Sequence, residues 1–108
     1  MEFYIDKIQL RNNVVQYTCW GELADSPLGI LWVRFSVGES GKKIALLLNA
    51  MTIYYFKRKG VCSFLHKAVL NDADILLSAS GSGEGGKEFL EKFGFIYNKD
   101  IDIWSIYK

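Results

Sequence analysis

The segment LLLNAMTIYYFKRKGVCSFLHKAVL, residues 46–70, limits the fold more than any other part of this chain. An apolar strand runs through residues 44–56, Lys57, Arg58 and Lys59 carry it to Gly60, and an amphipathic helix starts at once. Val61, Phe64, Leu65, Ala68 and Val69 recur at the i, i+3, i+4, i+7, i+8 spacing of one buried helix face. A strand that is apolar almost throughout is expected inside a sheet, covered on both faces, although Asn49 and Thr52 interrupt it. The helix ends near Asn71 and Asp72, and Ile75, Leu76 and Leu77 form the short apolar run of a buried parallel strand. Strand, helix, strand predicts a right-handed crossover, with the strand at Ile75 parallel to the one that holds Ile53.

The junction also has chemistry. The first turn of a helix carries backbone N–H groups with no partner inside the helix, at the positive end of its dipole. Gly60 lets an anion approach that backbone, and Lys57, Arg58 and Lys59 add charge. This is the outline of a cradle for a phosphate or an oxyanion. The plainer alternative is a solvated basic turn.

The rest of the chain reads as scaffold. Residues 3–10 and 14–20 are two strands joined by a turn at Arg11, Asn12 and Asn13. Residues 21–27 break the pattern. Leu31, Val33, Phe35 and Val37 then alternate with Trp32, Arg34 and Ser36, as in a half-buried antiparallel strand. Residues 38–41 turn it back. After the crossover, residues 78–86 form a loop, and a second helix over about residues 84–93 buries Phe89, Leu90 and Phe93. Gly94 stands where a left-handed residue closes a helix, and Phe95 can pack back on the last turn. Residues 95–97 and 101–106, around a turn at Asn98, Lys99 and Asp100, make a closing hairpin with Trp104 inside or at an edge.

With 108 residues the chain is long enough for one domain. Lys and Arg number 13 against 12 Asp and Glu, so the net charge of +1 implies no bulk attraction to nucleic acid or membrane. The N-terminal residues do not read as a signal peptide, and no apolar stretch is long enough to cross a bilayer. Cys19 and Cys62 are far apart, nothing suggests a disulfide, and the cytoplasm is the default compartment.

Several residues carry a functional reading beside a structural one. Gly81, Gly83 and Gly86 match G-x-G-x-x-G between a strand and a helix, but too little chain follows for a dinucleotide fold, so a loop entering the second helix is preferred. Cys62, at a positive helix end, is either a reactive thiol or a small residue tolerated in the cradle, and the second is favoured. His66 has no second ligand at metal spacing and reads as a surface or boundary residue. Asn49 either satisfies a bulge or neighbouring loop, or orients ligand. Glu22 could act as a base through water. Tyr54, Tyr55 and Tyr97 are the available acids, with core packing their commoner use.

The segment NAMTIYYFKRKGVCSFLHKAV and the later FLEKFGF resemble the GNAT superfamily of acyl-CoA-dependent N-acyltransferases. The family motif, Arg/Gln-x-x-Gly-x-Gly/Ala at the start of the helix after the central strand, is read here as Lys57-Arg58-Lys59-Gly60-Val61-Cys62. The resemblance covers about the C-terminal two-thirds of the chain. It implies an α+β, GNAT-like fold on a mixed sheet: antiparallel N-terminal strands, a βαβ crossover, a second helix and a C-terminal hairpin. One N-acetyltransferase-like domain would occupy residues 1–108.

The resemblance further implies acetyl-CoA as acyl donor. Its pyrophosphate would rest on Gly60, Val61, Cys62 and Ser63 beside Lys57, Arg58 and Lys59. Its pantetheine would pair with the backbone of Ala50, Met51 and Thr52, between strands that splay apart. The implied activity is acetyl transfer to a primary amine by direct attack, without a metal, and the acceptor is a small molecule or a protein. Asn49, Glu22 and Tyr97 are the candidate catalytic side chains. Where many members carry a Tyr acid in the second helix, this chain has Leu90, and the two helices that usually follow the first strand are absent. A homodimer is one way to complete the acceptor side. The alternative is a catalytically weak GNAT-like module that acts by binding CoA or protein.

Overall fold

The computed structural model describes residues 2–22, 25–52, 60–79 and 86–108. Strand β1 (Phe3–Gln9) turns into β2 (Val14–Gly21), followed by β3 (Gly29–Val37) and β4 (Lys43–Thr52). Helix α1 (Val61–Asp72), β5 (Ile75–Ser78), α2 (Gly86–Phe93), β6 (Ile96–Asn98) and β7 (Ile103–Tyr107) complete the order. The seven strands form one sheet, β1-β2-β3-β4-β5-β7-β6, in which only β4 and β5 pair in parallel. The α+β class, the crossover and the closing hairpin are as expected.

Local chemistry explains the turns. Asn12 and Asn13 both take positive φ, 58° and 62°, which a tight hairpin needs and which asparagine tolerates better than most residues. That turn leads β1 straight into β2, with no helix between them. Gly94 (φ 112°) closes α2, and the Phe95 amide donates to the Leu90 carbonyl at 2.9 Å.

The core lies between the sheet and α1. Tyr17, Leu31, Val33, Ala45 and Leu76 come from four strands and meet Val61, Leu65 and Val69 of the helix, all buried. At its far end α1 is clamped to the first hairpin. The Tyr17 hydroxyl donates to Asp72 Oδ2 at 2.7 Å, and Lys7 Nζ reaches the same oxygen at 2.7 Å. Burial pushes the Asp72 carboxyl up, but the hydrogen bonds from Lys7 and Tyr17 and the charges of Lys7 and Lys43 outweigh it and hold it below the usual range.

β5 runs parallel to β4 as expected, pairing with its beginning, Ile44 to Ile75 through Leu47 to Ser78, and Ile53 lies outside the described residues. One expectation is corrected. β4 is not covered on both faces: Ala45 is buried, while residues 48–51 are exposed. An apolar run reads as two-sided from composition alone, and the length of its neighbour is invisible in it.

Candidate functional site

The site grows from the offset between β4 and β5. β5 ends at Ser78, opposite Leu47, while β4 continues to Thr52. Residues 48–51 therefore have β3 on one side and, among the described residues, no strand on the other. A bulge sits at the same point. Asn49 stands opposite Trp32 and Leu47 opposite Val33, so Leu48 is an extra residue on β4. A bulge bends its strand and increases the local twist, and this one stands next to the last β4–β5 pair.

The exposed backbone is marked by one contact. Asn49 Oδ1 accepts a hydrogen bond from the Ala50 amide at 2.8 Å. A donor satisfied by its neighbour's side chain is not held in the β3 ladder, so this amide faces the open side. Asn49 thus takes the first of its two readings in this structure, satisfying backbone beside a bulge.

Helix α1 begins at the same end of the sheet. Gly60 is its N-cap residue, with φ 88° and ψ 1°, and no side chain caps the first turn. The first bonded amide is that of Phe64, which donates to the Gly60 carbonyl at 2.9 Å. The amides of Val61, Cys62 and Ser63 have no helical partner. A β-carbon at Gly60 would meet only Phe3 Cε2, at 3.9 Å. The glycine is there for its φ, and among the described residues nothing else stands within 4 Å of that β-carbon.

Two contacts fix α1 against the strand ends. Thr52 Oγ1 lies 4.0 Å from Cys62 Sγ. Gly29 lies so close to α1 that a β-carbon would stand 2.8 Å from Val61 Cγ1. Gly29 and the bulge at Leu48 were not singled out from the sequence. A glycine opening an alternating strand is the available signal for the first, since it often marks a close approach of backbones.

The other candidates fall as follows. Ala50, Met51, Thr52, Gly60, Val61, Cys62 and Ser63 come together at this end, whereas Lys57, Arg58, Lys59, Tyr54 and Tyr55 lie outside the described residues. So does the glycine-rich loop except Gly86, which opens α2. Burial pushes the Cys62 thiol up, only partly offset by Thr52, so the reactive-thiol reading is not supported. Glu22 is exposed at the end of β2, with β3 between it and β4.

Tyr97 is not near the gap. It lies on β6, three strand spacings from β4, or roughly 14 Å. Its hydroxyl donates to Asp102 at 2.7 Å, which raises its pKa. With Lys87, Glu91, Phe95 and Trp104 it lines an open hollow of about 530 Å³ beside α2.

His66 is buried, not at a boundary, with 2% of its surface exposed. Its ring sits 4.8 Å from Phe89, 5.6 Å from Phe93 and 6.1 Å from Phe95, and so holds α1 to α2. Nδ1 donates to the Cys62 carbonyl at 2.7 Å, because a carbonyl can only accept. Burial lowers its pKa, opposed in part by that bond, and the ring is neutral.

No protein-family model matches the chain, and no curated protein matches it. Solved structures do. A probable acetyltransferase is similar over 83% of this chain and 64% of its own, with a TM-score of 0.69 at 20% identity. NAA60 of Arabidopsis thaliana, in complex with a bisubstrate analogue, is similar over 90% of this chain and 76% of its own, with a TM-score of 0.70 at 6% identity. AtaTR bound with AcCoA is similar over 88% and 68%, with a TM-score of 0.66 at 13% identity. A putative GNAT-family acetyltransferase from Desulfovibrio desulfuricans extends the same likeness, with a TM-score of 0.68 at 12% identity.

The fold is the GNAT fold.

At these identities the likeness is one of fold, and the chain spans 64% of the length of the probable acetyltransferase. The GNAT fold here keeps a parallel β4–β5 pair that opens beyond Leu47 and a helix that begins at the mouth of the opening. At the position where the resemblance would put a Tyr acid, Leu90 is buried in the core, 4% exposed.

Proposed function

We infer that this chain binds acetyl-CoA in the gap between β4 and β5 and transfers the acetyl group to a primary amine. One observation carries the reading: among the described residues, β4 beyond Leu47 has no strand on its β5 side and the amides of Val61, Cys62 and Ser63 have no partner, and the two lie at one end of the sheet. An extended thioester arm with amide groups needs the first, and a diphosphate needs the second. The GNAT fold and a neighbour bound with AcCoA support the same donor. Lys57, Arg58 and Lys59, next in sequence to Gly60, would add the charge that a diphosphate requires.

In this reading the amine nitrogen attacks the thioester carbonyl, the C–S bond breaks, and the thiolate leaves as the amine loses a proton to water. The Ala50 amide, exchanging Asn49 Oδ1 for the carbonyl oxygen, stabilises the charge that develops there. Much of the rate comes from holding the two reactants together. The acceptor is a small amine or a protein amine. Cys19 and Cys62 are both free, which suits the reducing cytoplasm.

A second reading is favoured by Leu90. A buried leucine where an acid would stand, with Tyr97 far from the gap, fits a module that binds CoA without efficient turnover.

Thermal shift decides the first step. Acetyl-CoA at a hundredfold over its Kd adds about 2.7 kcal/mol. At roughly 4–8 °C per kcal/mol, Tm rises by about 10 °C or more. NAD should produce no shift. Absence of an acetyl-CoA shift removes both readings, and turnover against a panel of amines then separates them.

A further inference from the structure

Helices α1 and α2 lie on one side of the sheet, joined through His66, Phe89 and Phe93. Leu31 and Val33 point to that side, in the core with α1, so Trp32 and Arg34 point to the other. Residues directly opposite in a sheet share a face. The register therefore puts Gln16, Trp32 and Asn49 in one row of this second face, with Thr18, Ile30 and Met51 in the next. Val14, Arg34, Leu46 and Leu77 make the row on the other side of Trp32. These three rows border the gap from the side away from the helices.

Their chemistry limits what can be held there. Trp32 Nε1 donates to Gln16 Oε1 at 3.0 Å, and Gln16 Nε2 donates to Thr18 Oγ1 at 3.3 Å. An indole has one N–H and no acceptor, and here that donor is engaged toward β2. Toward the gap Trp32 offers only hydrocarbon surface, and Met51, exposed on the same face, adds to it. Charge is sparse. Among the described strand residues of this face, Asp6 and Arg34 are the charged ones. Asp6 is on β1, three strand spacings or about 14 Å from β4. Arg34 is on β3, beside β4 and opposite Leu46, one residue short of the last β4–β5 pair. It is exposed, and among the described residues no carboxylate pairs with it.

We propose that Arg34 holds a carboxylate of the acceptor, so that the amine acetylated here belongs to an amino acid whose carbon skeleton lies against Trp32 and Met51. The inference rests on the donor reading above. With the diphosphate at the first turn of α1, the donor occupies the helix side, and the amine reaches the thioester from the opposite face. There it meets apolar surface and one guanidinium, which takes a carboxylate through two parallel hydrogen bonds. Among the described strand residues no carboxylate stands near β4 to hold a second ammonium, so a polyamine meets only repulsion from Arg34. The bond changes are those already given: C–N forms, C–S breaks, the amine gives its proton to water and CoA leaves as the thiolate. The carboxylate takes no part in them. Arg34 binds and orients.

Acetyl transfer by the full chain tests this, with acetyl-CoA and a panel of amino acids, the amides of the same amino acids, and putrescine. CoA release is followed by chromatography. The best amino acid should have a kcat/KM about tenfold or more above its own amide and above putrescine. Arg34→Gln should raise the KM for that amino acid about tenfold with little change in kcat. Arg34→Glu should turn the preference toward putrescine. Both variants should keep the acetyl-CoA thermal shift, because Arg34 is on the face away from the donor. A wild type that shows no acetyl-CoA shift removes the donor reading and this inference with it. A shift without turnover of any amino acid, amides used as well as their acids, or an Arg34→Gln protein with the wild-type KM overturns the proposal and leaves the donor site standing.

Discussion

A β-carbon on Gly29 would stand 2.8 Å from Val61 Cγ1, 3.1 Å from Leu65 Cδ1 and 3.2 Å from the Met51 carbonyl oxygen. This close approach seats the first turn of α1 on the ends of β3 and β4. Gly29→Ala must push the helix away or twist a side chain off its rotamer, at about 1–3 kcal/mol. Urea unfolding should show that loss. In Val61→Ala, which removes the nearest atom, the added cost of Gly29→Ala should be smaller, and equal costs in the two backgrounds would show the contact is not the cause.

The clamp at the other end of α1 has unequal members. Tyr17 is buried, with 1% of its surface exposed, so Asp72→Ala strands its hydroxyl without a partner and costs about 1–3 kcal/mol. Tyr17→Phe removes donor and need together on one side and leaves Asp72 to Lys7, at about 0.5–1.5 kcal/mol. Asp72→Ala should be the worse variant in denaturant midpoints, and the double variant less costly than the sum. Additive losses would show that the two groups act separately.

His66 gives the fold a pH dependence of known sign. Burial lowers its pKa below 6.5 in the folded chain, so near and below that pH the unfolded chain binds more protons. Stability is then highest above pH 6.5 and falls on acidification until the folded pKa is passed. Asp72 acts in the same direction in a more acidic window, because its folded pKa lies below 3.8. The chain has 1 histidine, so its ring protons can be followed by NMR without ambiguity. They should titrate below the pH of a free imidazole. A midpoint at or above 6.5 would contradict the buried, neutral ring.

Features set by neighbours in sequence were legible, and those set by distant partners were not. Asn12 and Asn13, Gly94 and the α1 periodicity each depend on a few adjacent residues, and they stand where the pattern puts them. The offset of β5 was hidden, because its register depends on how the crossover docks. His66 lies on an ordinary helical turn, and only the fold brings Phe89, Phe93 and Phe95 around it. The apolar run of β4 suggested cover on both sides for a similar reason. Hydrophobicity reports that a face avoids water, not which molecule covers it.

Gly60 separates backbone strain from steric crowding at the proposed cradle. Its φ of 88° is left-handed, and among the described residues a β-carbon there would meet only Phe3 Cε2, at 3.9 Å. Gly60→Ala should therefore cost stability through strain alone, about 1–2 kcal/mol. Asparagine tolerates this conformation better, so Gly60→Asn should fold with a smaller loss. It would still place a side chain beside the amides of Val61, Cys62 and Ser63. The expected outcome is a Gly60→Asn protein close to wild type in Tm without ligand that shows little or none of the acetyl-CoA shift. Equal shifts in wild type and Gly60→Asn would move the diphosphate away from this helix end, whatever the chain does with the acetyl group.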